Sequence, residues 1–151
     1  MKTEIRKNTP ADYETAYMLT RELMVHHNAL DIFTTTPERL RGLIESGMLQ
    51  SYTLYCDGNA AGIMNFFFKL TTFTGRKILY IEDLYAREEY RGEGFGKMLI
   101  ARAREIAAEN DCEQIELKCA HWNSKSAEFY KAMGMKNESE WITFTLDKSL
   151  F

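Results

Sequence analysis

The most constraining stretch of this chain is a strand that runs into a glycine-rich loop and out into a helix. Ile78 to Ala86 is apolar on both alternating faces, the pattern of a central strand covered on both sides. Arg91-Gly92-Glu93-Gly94-Phe95-Gly96-Lys97 follows. Phe95, Met98, Leu99, Ala103, Ile106 and Ala107 then mark one face of a helix that ends near Asn110. The first turn of such a helix carries unpaired N–H groups and the positive end of the macrodipole. Glycines let those N–H groups approach an anion without side-chain interference. The expected ligand is a phosphate or pyrophosphate; the plain alternative is a glycine-rich turn with no ligand.

Two nucleotide motifs fail here. A P-loop needs Gly-x-x-x-x-Gly-Lys-Ser/Thr, but Gly96-Lys97 is followed by Met98 and position 91 is arginine. A dinucleotide fingerprint needs Gly-x-Gly-x-x-Gly early in a βαβ unit, whereas these glycines run 92, 94, 96 and lie late in the chain.

The other elements are legible from their boundaries. Glu4-Ile5-Arg6 reads as a short strand. Thr9-Pro10-Ala11-Asp12 is a helix start, with a capping threonine, proline at the first position and an acid three residues on. Ala16, Leu19, Leu23 and Met24 give that helix an apolar face as far as His26. Thr36-Pro37-Glu38 starts a second helix that stops near Gly47. Tyr52–Cys56 and Ala61–Leu70 flank Asp57-Gly58-Asn59 as a hairpin, and Thr74-Gly75-Arg76 turns into the central strand. Gln114–Cys119 reads as a strand, Asn123 as the cap of a helix running to Met133 with Gly134 as its C′ residue, and Trp141–Leu146 as a last strand. The order predicted is β-α-α-β-β-β-α-β-α-β, a single α/β (α+β) domain over residues 1–151 with one twisted sheet.

Composition narrows the function. Lys plus Arg total 19 against 22 Asp plus Glu, a net charge of −3, so the basic excess expected of a nucleic-acid binder is missing. Cys56, Cys112 and Cys119 are odd in number and lack metal-ligand spacing, and they read as reduced thiols of a cytoplasmic protein. The N-terminus lacks a signal-peptide h-region, and no apolar run approaches membrane-span length, so no membrane partner is expected.

Arg91, Gly94 and Gly96 fit the pattern Arg/Gln-x-x-Gly-x-Gly/Ala, which resembles the pyrophosphate loop of the GNAT superfamily of N-acetyltransferases. Tyr80-Ile81-Glu82-Asp83-Leu84-Tyr85, Trp122-Asn123, Phe129-Tyr130-Lys131-Ala132-Met133-Gly134 and Trp141 are similar to the spermidine/spermine (diamine) N-acetyltransferase subfamily, over the last half of the chain. The resemblance implies a mostly antiparallel twisted sheet of about six to seven strands flanked by about four helices. It implies acetyl-CoA as cosubstrate, no metal, a small-molecule amine acceptor and a homodimer. The aromatic run Phe66-Phe67-Phe68 either serves that dimer or fills the core.

The same resemblance distributes roles. Tyr130 would protonate the departing CoA thiolate, against the alternative of a core aromatic. Glu82 would hold the amine or take its proton, directly or through water. Its neighbour Asp83, on the opposite face of the same strand, reads as a structural acid. Leu84, Tyr85 and Ala86 would pair with the pantetheine arm through their backbone. Arg91, Gly92, Glu93, Gly94, Phe95, Gly96 and Lys97 would surround the pyrophosphate. Asn123 caps its helix and would contact pantetheine, with Ser126 and Lys131 near the cofactor. His26, His27, His121, Trp122 and Trp141 would line the acceptor side. Adjacent helical histidines make a poor metal site. His121 stands where the polyamine-acting relatives carry an acid, and Glu138 and Glu140 only partly supply the acidic pair wanted near Trp141. The expected reaction is direct attack on acetyl-CoA by a polyamine, a diamine or a lysine-like amine. The alternatives are a protein or peptide N-acetyltransferase, and a CoA-binding sensor without turnover.

Overall fold

A computed structural model describes residues 1–137 and 140–151. They fall into two compact units, Met1–Lys118 and Cys119–Phe151.

The larger unit is built on a five-stranded sheet in sequence order: β1 (Thr3–Lys7), β2 (Gln50–Cys56), β3 (Asn59–Thr71), β4 (Arg76–Ala86) and β5 (Gln114–Leu117). The first three pairings are antiparallel and β4 with β5 is parallel. The parallel step needs a crossover, and α3 (Phe95–Glu109) provides it. Helix α1 (Tyr13–His26) is entered through a 3-10 turn, Pro10–Asp12, where the Thr9 N–H donates to Asp12 Oδ2 at 2.7 Å. Helix α2 (Pro37–Ser46) starts as its residues predict, Thr36 Oγ1 accepting from the Arg39 N–H at 3.1 Å. Ala16 and Leu19 of α1, Leu40 and Ile44 of α2 and Ile63 of β3 form one buried cluster, against which Tyr85 packs. Phe66 is buried in the core, while Phe67 and Phe68 are half-buried, so only the first of the three fills the interior. Met24, expected on the buried face of α1, is half-buried, and Thr20 is buried there instead.

Two irregularities shape the end of β4. Asn65 pairs with Asp83 and Phe66 with Ile81, so Glu82 is an extra residue with no partner on β3. At such a β-bulge the strict alternation from which Glu82 and Asp83 were expected to face opposite sides does not hold. Gly62 lies opposite Ala86, and a Cβ there would stand 2.7 Å from the Tyr85 carbonyl oxygen. Only glycine lets β3 approach so closely.

The smaller unit carries α4 (Ser124–Ala132). Asn123 Oδ1 caps it, accepting from the Ser126 N–H at 3.2 Å. At the other end the Gly134 N–H donates to the Lys131 carbonyl and the Met135 N–H to the Tyr130 carbonyl, both at 3.0 Å, with Gly134 at φ 90°. That is the Schellman arrangement predicted from Gly134.

The last strand predicted over Trp141–Leu146 is not formed. Among the described residues no strand pairs with it, and Trp141, Ile142, Phe144 and Leu146 are exposed. Alternating aromatic and β-branched residues favour extended backbone, but a strand also requires a neighbour to complete its ladder. Among the described residues the sheet therefore has five strands rather than six or seven. Glu138 lies outside the described residues.

Candidate active site

The larger unit assembles the strand–loop–helix feature. β5 ends at Leu117, so the parallel ladder stops at the Ile81–Leu117 pair while β4 continues to Ala86. Among the described residues no strand lies beside Glu82–Ala86 on that side. Their alternate N–H and C=O groups, turned away from β3, are left for another partner. Leu84, Tyr85 and Ala86, expected to present such backbone, are all in this segment.

After β4 the chain makes a 3-10 turn, Glu88–Tyr90, and enters α3 through the glycines. Gly92 and Gly94 hold φ values of 86° and 78°, the left-handed region that glycine occupies without strain. Gly94 is the N-cap residue of α3, and no side chain caps the helix. The Met98 N–H makes the first helical bond, to Gly94 O at 3.0 Å. The N–H groups of Phe95, Gly96 and Lys97 precede it and have no helical acceptor. Apart from the adjoining residues, no atom lies within 4 Å of where a Cβ would stand on Gly92 or Gly94. An open cradle of N–H donors at the positive end of a 15-residue helix fits a phosphate. Phe95 is buried and stacks on Tyr90, centroids 5.4 Å apart, which fixes the loop from below. Glu93 and Lys97 are exposed.

Arg91 is exposed too. Its Nη1 pairs with Glu88 Oε1 at 3.2 Å, and its Nη2 lies 3.4 Å from both ring nitrogens of His26. His26 in turn faces Tyr85, with ring centroids 6.5 Å apart. His26, Tyr85 and Glu88 border a cleft of about 490 Å³, lined from α1 by Glu22, Val25 and His26, from β4 by Tyr85, and from the turn by Arg87, Glu88 and Glu89. His27 sits beside His26, and burial followed by that neighbour holds its imidazole below the ordinary value.

Glu82 is exposed at the bulge. Asp83 Oδ2 accepts from Asn65 Nδ2 at 2.9 Å across the β3–β4 pair. Burial, opposed by that hydrogen bond and helped by Glu82, pushes its carboxyl up to about 6. Asn65 and Glu22 were not singled out from sequence. Their partners lie 18 and 65 residues away, and neither position carries a local signal.

In the smaller unit Tyr130 is half-buried on α4 against Phe129, ring centroids 5.4 Å apart. Burial, then the charge of Cys119, pushes its phenol up to about 12, so it is protonated at neutral pH. Asn123 and Ser126 are half-buried at the start of α4, Asn123 committing its carbonyl oxygen to the cap. Lys131 pairs with Glu128 at 3.6 Å. His121, Trp122 and Trp141 are exposed. The Cys119 thiol lies 3.7 and 3.6 Å from the carbonyls of Ala120 and Asn123. Burial is the first cause of the raised thiol values of Cys56 and Cys112. Among the described residues no group of three or more His, Cys, Asp or Glu is arranged to hold a metal ion.

The acetyltransferase (GNAT) family matches residues 16–135. A thialysine N-epsilon-acetyltransferase of Sus scrofa is 36% identical over 85 residues, covering 54% of this chain and 49% of that protein. One from Caenorhabditis elegans is 27% identical over 147 residues, covering 95% of this chain and 91% of that protein. The chain spans about half the length of the mammalian relatives it matches. The crystal structure of an aminoglycoside acetyltransferase from an uncultured soil metagenomic sample, in complex with trehalose, shares the fold at a TM-score of 0.82 and 16% identity, over 96% of this chain and 97% of that one. With a family match that runs through the glycine loop and the end of β4, the chain belongs to the acetyltransferase (GNAT) family.

Proposed function

We propose that this chain transfers acetyl from acetyl-CoA to a primary amine of a small molecule, a polyamine, diamine or lysine-like amine, by direct attack. The observation that carries the reading is the uncapped N-terminus of α3 behind Gly92 and Gly94, beside a β4 end that has lost its β5 partner. The family match crosses Lys118–Cys119, which supports reading both units as one N-acetyltransferase domain. The thialysine-acetylating relatives favour an acceptor with a lysine-like side-chain amine.

Acetyl-CoA supplies a thioester carbonyl to be attacked and a thiolate to leave. The chain's own residues bind and orient around that chemistry. The N–H groups of Gly94–Lys97 and the Arg91 guanidinium hold the pyrophosphate. The open backbone of Leu84–Ala86 pairs with the pantetheine arm, and Asn123 and Ser126 contact it from α4. Glu82 holds the acceptor amine, with its proton taken directly or through water. His26 and His27, with His121, Trp122 and Trp141, line the acceptor side. Tyr130, kept protonated well above neutral pH, donates its phenolic proton to the leaving sulfur. The raised values of Cys56 and Cys112 support transfer without an acyl-cysteine at those positions. Three free thiols suit a reducing compartment such as the cytoplasm. The homodimer is part of the proposal, with β1 and β5 as the edges of the larger unit's sheet, and equilibrium sedimentation tests it.

The test is thiol release from acetyl-CoA with spermidine, putrescine, thialysine, lysine, small aromatic amines and a lysine-bearing peptide. We expect turnover with at least one small amine and a loss of about 100-fold or more in kcat for Tyr130→Phe. Acetyl-CoA binding without turnover of any amine overturns the enzyme reading. Turnover of the peptide alone moves the acceptor to proteins.

A further inference from the structure

Beneath the end of β4 the larger unit holds a run of buried polar side chains from three elements and the loop after β1. Asn8, Thr20, Ser51, Thr53 and Asn65 are each no more than 6% exposed. Thr53 Oγ1 donates to Asn8 Oδ1 at 2.9 Å, Asn8 Nδ2 to Ser51 Oγ at 2.8 Å, and Ser51 Oγ to Asn65 Oδ1 at 2.7 Å. Asn65 Nδ2 then donates twice, to Thr20 Oγ1 and to Asp83 Oδ2, both at 2.9 Å. Thr20 Oγ1 passes its own proton to the Ala16 carbonyl at 2.8 Å. The Ser51 hydroxyl has one proton to give, and it goes to Asn65 Oδ1. That fixes the orientation of the Asn65 amide and aims its N–H at the carboxyl.

This chain of donors ends on Asp83. Asn65 fills Oδ2 as an acceptor in either protonation state, so Oδ1 is the oxygen that gains and loses the proton. Asp83 stands two residues before Tyr85 on the same sheet face, the α1 side, where Tyr85 borders the cleft. It also lies within the segment of β4 that β5 does not cover. Five buried polar residues are a costly way to join α1, β2 and β3, since apolar side chains of similar size would hold them at least as well.

We propose that Asp83 takes the proton released by the acceptor amine, and that Asn65, locked by Ser51, Asn8 and Thr20, is the positioning residue that aims it. The inference rests on the amine-acetylation reading above. The ammonium N–H bond breaks and the proton goes to Asp83 Oδ1, leaving its electron pair on nitrogen. The freed nitrogen forms the bond to the acetyl carbon as the carbon–sulfur bond breaks. Sulfur leaves with that pair and receives the Tyr130 proton, and the amide nitrogen sheds its second proton to restore the Tyr130 phenol. Glu82, exposed at the bulge, keeps the amine-holding role. Around Asp83 stand the carboxylate of Glu82 on its own strand, the amide of Asn65 on β3 and, through it, the hydroxyls of Thr20 on α1 and Ser51 on β2. The hydrogen bond from Asn65 favours the carboxylate and burial opposes it, so removing Asn65 raises the pH at which Asp83 ionises.

Two measurements decide it. The first is the pH profile of kcat/KM with an accepted amine for wild type, Asp83→Asn, Asn65→Leu and Ser51→Ala. We expect Asp83→Asn to lose about 100-fold or more in kcat near neutrality. The acid limb should move to higher pH in Asn65→Leu, and by less in Ser51→Ala. The second is carboxyl ¹³C NMR of the protein without substrate. A resonance titrating near 6 should vanish in Asp83→Asn and shift upward in Asn65→Leu, or in Ser51→Ala if Asn65→Leu does not fold. An acid limb retained in Asp83→Asn, or a carboxyl titration unmoved by the network variants, overturns the proposal. If no amine is turned over, the acetylation reading fails and with it the proton-accepting role. The NMR titration still separates that failure from a failure of the positioning network.

Discussion

Arg87 and Glu22 meet in a two-pronged ion pair that ties the end of β4 to α1. Arg87 Nε lies 2.9 Å from Glu22 Oε2 and Nη2 lies 2.7 Å from Oε1, while Nη1 donates to the Ala60 carbonyl at 2.8 Å. The Arg87 backbone N–H adds a bond to Ala61 O at 2.9 Å. One residue thus joins α1, β3 and the turn that leads into the glycine loop.

Arg87→Ala is expected to cost about 1–3 kcal/mol, the range for charge-assisted hydrogen bonds that are neither fully exposed nor fully buried. Arg87→Lys should recover little, because an ammonium cannot match a carboxylate with two parallel bonds. Urea unfolding of Arg87→Ala, Glu22→Ala and the double variant checks this. A coupling energy near zero would mean the pair contributes nothing specific. The KM for acetyl-CoA should rise more than kcat falls, since the turn before the loop loses its anchor.

Gly62→Ala tests the shape of the β4 end. The new methyl would meet the Tyr85 carbonyl oxygen at 2.7 Å, so backbone has to move. The expected loss is about 1–3 kcal/mol, as for other overpacked positions. Acetyl-CoA binding measured by calorimetry should weaken, because the displaced atoms belong to the strand end proposed to pair with pantetheine. Unchanged affinity would separate that strand end from the cofactor.

Gly134→Ala acts on the other unit. At φ 90° alanine is strained, and the Schellman bonds to Lys131 and Tyr130 carbonyls loosen. The cost in stability is about 1 kcal/mol. Because the Tyr130 carbonyl is one of the capped groups, kcat should fall several-fold while KM for the amine holds. A stability loss with kcat unchanged would show that the cap does not position the phenol.

What could be read from sequence was local. The Thr36 and Asn123 caps, the Gly134 stop, the hairpin and the glycine loop each announce themselves within a few residues, and all were found in place. What was missed depends on partners far along the chain. Ser51 reaches Asn8 across 43 positions and Thr20 reaches Asn65 across 45. A lone serine or threonine in an apolar run gives no hint of such a partner. The bulge at Glu82 arises from register with β3, which the β4 sequence does not encode alone. Trp141–Leu146 erred the other way, its alternation promising a strand that no ladder completes.

The carboxyl of Asp83 predicts a pH dependence of stability that is separate from catalysis. Its value rises from 3.8 to about 6 on folding, chiefly through burial. The native state therefore binds more protons than the unfolded chain between those two values, and stability falls as pH climbs through that window. Below 3.8 both states are protonated and the penalty is absent; above about 6 it is complete, at about 3 kcal/mol if the whole shift were realised. Asp83→Asn has nearly the same shape, can present its amide oxygen to Asn65, and carries no charge to bury. It should therefore raise the melting temperature at pH 7.5 by several degrees and leave it nearly unchanged at pH 4. Thermal melts of both proteins across that range give the result. A difference between them that is the same at every pH would mean that Asp83 is already ionised throughout, and that burial does not hold its proton.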